Sequence, residues 1–390
     1  MKEIYLDNSA TTPISEVALE KYIEVSRMHF GNPSSLHALG VVAEGEVKEA
    51  RAKIARALGA TDGELLFTAS GSEANNLAIL GRAHAKERYR RGAKIITTMG
   101  EHSSVREPLK KLAEEGYTIV EIPTRGGMLD FEMLENELQS GVCILLTMML
   151  VNNETGALYD LARASALMRK YQKDAVLHVD ATQAFLKVPF SPRTLGADLI
   201  TISAHKVEGP KGVGALYVSD YIKKTKGLSP VFYGGGQESG FRPGTENVPG
   251  ICAFGEAVNL SRGELGRRVT LVSALREKLI AMLRERTPEI QITLPPKAAP
   301  HILNITLPSI KSETMLHYLS REGIYVSSGS ACSSNGAHHP SSALLAYGHS
   351  EKMADASLRI SLSYHNTEED LDALLCALER GLSTLARFGK

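Results

Sequence analysis

The chain has 390 residues, more than one modest domain needs, so one large core with a smaller appended domain, or two comparable ones, is expected. Hydrophobic residues at 43% and charged residues at 23% are ordinary for a globular protein. Lys plus Arg and Asp plus Glu balance at 44 each, which excludes a global field that recruits nucleic acid or an anionic membrane surface.

Met1 to Asp7 carries both charge signs and runs into a turn-rich stretch without a secretory h-region. No window offers the roughly 20 uncharged apolar residues of a membrane span. A cytoplasmic protein with no membrane attachment and no direct nucleic-acid binding is expected. Leu36, Leu39, Ala43, Val47, Ala50, Ile54 and Leu58 then recur at helical spacing, and Gly59 ends the pattern. Strand candidates follow at Ala93–Thr98, Thr118–Ile122, Val142–Leu150, Ala175–Val179, Leu199–Ser203 and Gly214–Val218. Helical stretches such as Ser103–Glu115 and Leu161–Tyr171 separate several of them, which predicts an α/β domain on a mostly parallel sheet. Ligands on such sheets sit outside the carboxyl ends of the strands.

After about Glu256 the texture changes. Val258–Glu285 is a long helical pattern, Ile302–Leu307 and Gly323–Val326 are strand-like, and Thr367–Phe388 reads as an amphipathic helix. Thr367 and Asp370 are placed as its capping pair. The expected division is a large domain over residues 15–256 and a smaller α+β domain combining 1–14 with 257–390.

Of four cysteines, none has Cys-x-x-Cys spacing, so no zinc site or disulfide framework is expected. Cys143 in an apolar strand and Cys376 on an apolar helix face are expected in the core. Cys332 differs, with Ser, Gly, Ala and Asn around it. The adjacent His338 and His339, without further ligands, read as a polar turn rather than a metal site.

The most informative stretch is Ser203-Ala204-His205-Lys206, with Gly209-Pro210-Lys211-Gly212 behind it, directly after an apolar strand. A lysine there can present its amine to a ligand in the cleft, although a lone loop lysine is usually only solvated. Asp180 ends the neighbouring strand, where an unpaired carboxylate is costly to desolvate. A protonated pyridine nitrogen would remove that cost and gain strength as an electron sink; a plain helix cap ahead of Ala181–Ala184 is compatible with the same residue. Phe67-Thr68-Ala69-Ser70-Gly71-Ser72-Glu73 passes from strand to helix through small residues, a natural anion site at a helix start, although a simple N-cap looks the same. Glu101-His102 follows another strand, where a histidine can stack on an aromatic ligand and exchange protons. Asn152-Asn153-Glu154-Thr155-Gly156 closes the apolar strand with polar groups.

Taken in order, these stretches resemble the class V aminotransferase family of fold-type I pyridoxal-phosphate enzymes, and within it the cysteine desulfurases. The resemblance runs from Tyr5-Leu6-Asp7-Asn8-Ser9-Ala10-Thr11-Thr12-Pro13 to Arg359. It includes Phe30-Gly31-Asn32-Pro33-Ser34-Ser35, Gly234-Gly235-Gly236-Gln237-Glu238, Arg242-Pro243-Gly244-Thr245 and Ser327-Ser328-Gly329-Ser330-Ala331-Cys332. Each motif alone is weakly specific, and their shared order is strongly so. One departure is Ser239, where many relatives carry arginine.

The resemblance implies pyridoxal 5'-phosphate held by Lys206 as an internal aldimine, Asp180 on the pyridine nitrogen and His102 stacked on the ring. It implies Asn153 and Gln183 at the cofactor's O3′, with Gly71, Ser72, Ser203 and His205 at its phosphate. Thr245 matches a residue that reaches the phosphate from the other subunit, so a homodimer with shared sites is expected. Arg359 matches the clamp on the substrate carboxylate, and Asn153 also belongs to the substrate side. The implied substrate is L-cysteine. Lys206 moves its α-proton, the Cys332 thiolate attacks Sγ and keeps the sulfur as a persulfide, and His102 is the acid in the release of alanine. An unperturbed thiol, with a pKa of about 8.5, is only slightly ionised at pH 7, so the site must lower it. The small polar residues around Cys332 suit a carrier arm that delivers sulfur to an acceptor protein, an iron–sulfur scaffold or a tRNA-thiolation enzyme. A selenocysteine lyase or another class V activity is the alternative, and a non-catalytic regulatory protein on this scaffold would be expected to lose Lys206, Asp180 or Arg359.

Overall fold

A computed structural model describes residues 3–86, 92–308, 310–328 and 340–385. Cys332, together with Gly329, Ser330, Ala331, His338 and His339, lies outside the described residues.

The chain opens on β1 (Ile4–Tyr5). Seven strands then form the main sheet: β2 (Leu65–Thr68), β3 (Ala93–Thr98), β4 (Thr118–Ile122), β5 (Val142–Met149), β6 (Val176–Asp180), β7 (Leu199–Ser203) and β8 (Gly214–Val218). Their order is β2-β8-β7-β6-β5-β3-β4, and only β8 runs against the others. Alternation along the strands explains why both faces are covered. Leu146, Leu177 and Ile200 enter one core, while their neighbours Leu145, Val176 and Leu199 enter the core on the opposite face. Each such side chain contributes about 1.5–3 kcal/mol of burial free energy. The α/β class and the mostly parallel sheet expected above are those observed.

The second sheet uses β9 (Gln291–Thr293), β10 (Ile302–Thr306), β12 (Ser327–Ser328) and β13 (Ser357–Ser361), in the antiparallel order β12-β13-β10-β9. β11 (Ile324–Tyr325) pairs instead with β1, and Ile4 and Leu6 join the same core as Leu303, Ile360 and Leu374. The N-terminal segment is thus built into the second core.

Several local expectations need correction. The long helix spans Val248–Arg286, starting ten residues before the apolar pattern suggested. Asn247 caps it by accepting from the Gly250 amide, and Pro249 sits in its first turn, where its missing N–H costs nothing. Its first half (Ile251, Phe254, Val258) packs in the large core and its second half (Leu275, Leu279, Leu283) in the small one, so one helix serves both. The helix of the first apolar stripe spans Ala38–Leu58, capped by His37 and ended by Gly59 at φ 73°. Leu36 therefore stands outside it and is 99% exposed. Ala181–Ala184 forms turns rather than a helix. Cys376 is half-buried and accepts a hydrogen bond from Arg286, rather than lying in the core as Cys143 does. The Thr367–Asp370 capping pair is present at the start of the helix Glu368–Leu385.

Candidate active site

The carboxyl ends of β3, β5, β6 and β7 open on one edge of the sheet, and the cleft there encloses about 480 Å³. That volume is in the range of small-molecule and cofactor sites. Lys206, Asp180, Gln183, Asn153, Gly71, Ser72, Ser203, His205, His102 and Arg359 all line it. Sequence distance hides this grouping, because the residues come from the ends of β2, β3, β5, β6 and β7 and from β13 of the second sheet.

Lys206 ends a tight turn, Ala204–Lys206, immediately after β7. The turn closes through Val207 and Gly209 amides donating to the Ala204 carbonyl. A side chain at Gly209 would meet Ala204 Cβ at 2.9 Å, so the turn requires glycine there. The Lys206 Nζ donates to the carbonyls of Ser9 at 2.6 Å and Ala10 at 2.8 Å. The same N-terminal segment is laced to the turn by Thr12, whose amide and hydroxyl both donate to the His205 carbonyl. Burial, with the nearby Lys206 charge second, depresses the His205 imidazole to about 4, so it is neutral at physiological pH.

Asp180 is 6% exposed and ends β6. Its Oδ1 accepts from the Thr182 amide and its Oδ2 from the Asn75 side chain, both at 2.9 Å. The carboxylate caps a turn, and both partners are neutral donors, which leaves its charge open to a cationic ring nitrogen. Asn75 escaped sequence reading. It continues as a relay: its Nδ2 also donates to Ser104 Oγ at 2.8 Å, and Ser104 Oγ lies 2.8 Å from His102 Nδ1. The Ser104 amide donates to that Nδ1 as well, so Nδ1 is the acceptor and the ring proton sits on Nε2. Desolvation by the cleft walls lowers the His102 pKa, which the Asp180 charge opposes. The available signal for Asn75 was a polar residue among the buried Ala74, Leu77 and Ala78 of its helix.

The helix Gly71–Ala85 starts at the cleft, with Ser70 as N-cap accepting from the Glu73 amide. A Cβ on Gly71 would stand 3.3 Å from Thr182 Oγ1 and 3.4 Å from Ser203 Cβ, so glycine leaves this end of the cleft open. Gln183 donates to the Ser9 carbonyl, and its buried Oε1 has no hydrogen-bond partner among the described residues.

Arg359, on β13, is 5% exposed and already held by carboxylates. Nη2 donates to Asp7 Oδ1 at 2.9 Å, and Nη1 to Glu154 Oε1 at 3.1 Å and to the Asn153 carbonyl at 3.0 Å. Sequence reading assigned it a substrate carboxylate without foreseeing these partners. Burial raises the pKa of Glu154, which the Arg359 charge opposes. A second buried carboxyl, Glu101, is pushed up to about 8 by desolvation, although Thr98 and the Met149 amide donate to its Oε1.

Thr245 is exposed and does not line its own chain's cleft. Its loop is tied down on both sides. Arg242 donates to Glu73, and Glu238 accepts from Arg51 and from the Phe67 amide. Ser239, the departure from the motif, is exposed with φ 58°, next to Glu238 at φ 47°.

These features fit pyridoxal phosphate: a lysine on a strand-end turn, a buried carboxylate with only neutral partners, and a capped helix start flanked by Ser72, Ser203 and His205. The class V aminotransferase family matches residues 4–374. A cysteine desulfurase IscS from Dictyoglomus turgidum is 38% identical over 98% of this chain and 95% of its own. The solved structure of a NifS-like protein superposes with a TM-score of 0.90 at 34% identity, covering 98% of this chain and 100% of that one. SspA, solved in complex with cysteine, gives 0.80 at 30% identity over 94% of this chain and 100% of its own. The chain belongs to the class V aminotransferases, in their cysteine desulfurase group.

Proposed function

We propose that the protein removes sulfur from free L-cysteine, releasing L-alanine and keeping the sulfur as a persulfide on Cys332. The observation that carries this reading is the meeting of Lys206, Asp180, His102 and Arg359 in one cleft. Lys206, Asp180, Gln183, Asn153 and the Gly71–Ser72 helix start, with Ser203 and His205, would hold pyridoxal phosphate. When bound, that group supplies an electron sink for the bonds at the substrate's α-carbon.

The chain's own groups do the rest. Arg359 orients the substrate carboxylate with its planar fork, sharing it with the Asp7 and Glu154 pairs described above. The Lys206 amine, held at the cleft by the Ser9 and Ala10 carbonyls, would take the substrate's α-proton. The Cys332 thiolate attacks substrate Sγ; the S–S bond forms as the C–S bond breaks, its electron pair leaving with carbon. His102, positioned through Nδ1 by Ser104, takes up a proton as a base and returns it as an acid in the release of alanine.

The site is proposed to be completed by a second copy of the chain, whose Thr245 reaches the phosphate end. Exposed apolar side chains on the same molecule, Phe30 at 66%, Leu36 at 99% and Tyr233 at 85%, support such a dimer. Leu36→Asp is expected to shift sedimentation from dimer to monomer; an unchanged dimer would remove Leu36 from the interface. No helix among the described residues is long and apolar enough to cross a membrane. A cytoplasmic setting, with an iron–sulfur scaffold or tRNA-thiolation enzyme as sulfur acceptor, completes the reading.

The deciding experiment measures alanine and sulfide release from L-cysteine with a reductant, for wild type and Cys332→Ala, with the visible spectrum of each. Both proteins are expected to show the cofactor band, and only wild type to release products. Equal activity in the variant would shift the reading to a selenocysteine lyase or transaminase.

A further inference from the structure

A second, smaller cavity of about 80 Å³ shares Lys206 with the cleft. That is room for several waters or one small anion. Lys187, Val207, Glu208, Pro300 and His301 line it as well. Two of these carry nitrogen atoms with no hydrogen-bond partner among the described residues. The Lys187 Nζ is fully buried and unpartnered, and His301, 3% exposed, has neither Nδ1 nor Nε2 satisfied. Buried polar atoms are almost always paired, so three such nitrogens on residues that line one chamber call for a ligand there.

Charge decides which kind. An ammonium offers only donors, so its ligand must accept. Glu208, the carboxylate among the described wall residues, supports the Lys187 charge from a distance, but its hydrogen bonds go elsewhere: Arg268 and the Tyr364 hydroxyl donate to its Oε2, and His365 Nε2 is 3.0 Å from its Oε1. Lys206 and Arg359 both add positive potential at Lys187 and at His301. Burial first, and those charges second, bring the Lys187 amine down to about 7, against the opposing Glu208 charge. His301 is held well below the usual imidazole range by burial and then by the Lys187 charge.

We propose that this chamber is a binding site for one small monovalent inorganic anion, held by Lys187 and His301 behind the cofactor lysine. The bound anion gives the Lys187 ammonium its acceptor and screens its charge from Lys206. Occupancy therefore sets the potential on the far side of the lysine, separately from the sulfur chemistry proposed above.

The test uses the full chain, reconstituted with cofactor, at pH 7 and fixed ionic strength. Melting temperatures are compared in sodium chloride, sodium bromide and sodium gluconate, the last too large for the chamber. Chloride and bromide are expected to raise the wild-type melting temperature over gluconate by about 2–4 °C at saturation. Lys187→Met, which keeps the apolar stem, is expected to abolish the increment, and His301→Gln to reduce it. Identical melting of wild type in the three salts, or a full chloride increment in Lys187→Met, would overturn the site and leave a water-filled chamber. Should Lys187→Met fail to fold, an undiminished increment in His301→Gln has the same meaning.

Discussion

The two walls of the cleft are built differently. On the large-sheet side, Asp180, Ser203 and Lys206 stand at or just beyond strand ends, and short local bonds fix several of them: Thr182 to Asp180, Ser104 to His102, Gly209 to Ala204. On the small-sheet side, Arg359 sits within β13 and is positioned by Asp7 and Glu154, at sequence separations of 352 and 205. The backbone of the first wall is set largely by neighbouring residues, with Asn75 and the Ser9–Ala10 segment reaching it from a distance. The second depends on how two cores and the N-terminal segment meet, so its geometry responds to changes far from the site.

Changes on the two walls should therefore fail in different ways. Asp180→Asn keeps the shape but removes the charge proposed to face the ring nitrogen. Turnover is expected to fall about 10²–10³-fold with KM little changed, measured by alanine release. A large rise in KM instead would place Asp180 on the substrate side. Arg359→Lys is expected to raise KM for cysteine about 10–100-fold, the worth of one lost charged hydrogen bond. Unaltered KM would show that the Asp7 and Glu154 pairs, not the substrate, are the purpose of that guanidinium.

Glu101 tests the large-sheet wall through pH. Its carboxyl is raised from about 4.5 to about 8 in the fold, so the folded state holds the proton more tightly than the unfolded chain. Stability is therefore expected to fall as pH rises from about 4.5 to 8, by on the order of a few kcal/mol. Glu101→Gln should flatten that slope in denaturant titrations. A slope equal to wild type would mean Glu101 is ionised throughout. The smallest effect belongs to the Gln237–Gly240 loop. Ser239→Gly relieves an exposed left-handed residue and is expected to stabilise by about 0.5–1 kcal/mol, read from the denaturation midpoint.

Much was legible locally. Strand limits such as Leu199–Ser203 and Gly214–Val218, the Gly59 helix stop and the Thr367–Asp370 cap are all written in neighbouring residues, because period, propensity and capping act over a few positions. The start of the helix at Val248 was missed, since its first turns are rich in Gly, Ala and Cys and only Asn247 and Pro249 mark the boundary. Asn75 was missed because a polar residue inside a helix has no motif of its own.

By itself, then, the sequence determined the α/β sheet, the family and the strand-end residues that would hold a cofactor, since each depends on short-range order along the chain. Only the tertiary structure decided the carboxylates around Arg359, the relay from Asp180 to His102 and the unpartnered nitrogens of Lys187 and His301. Those arise where distant segments are pressed together, and desolvation there depends on every neighbour in space rather than on any neighbour in sequence.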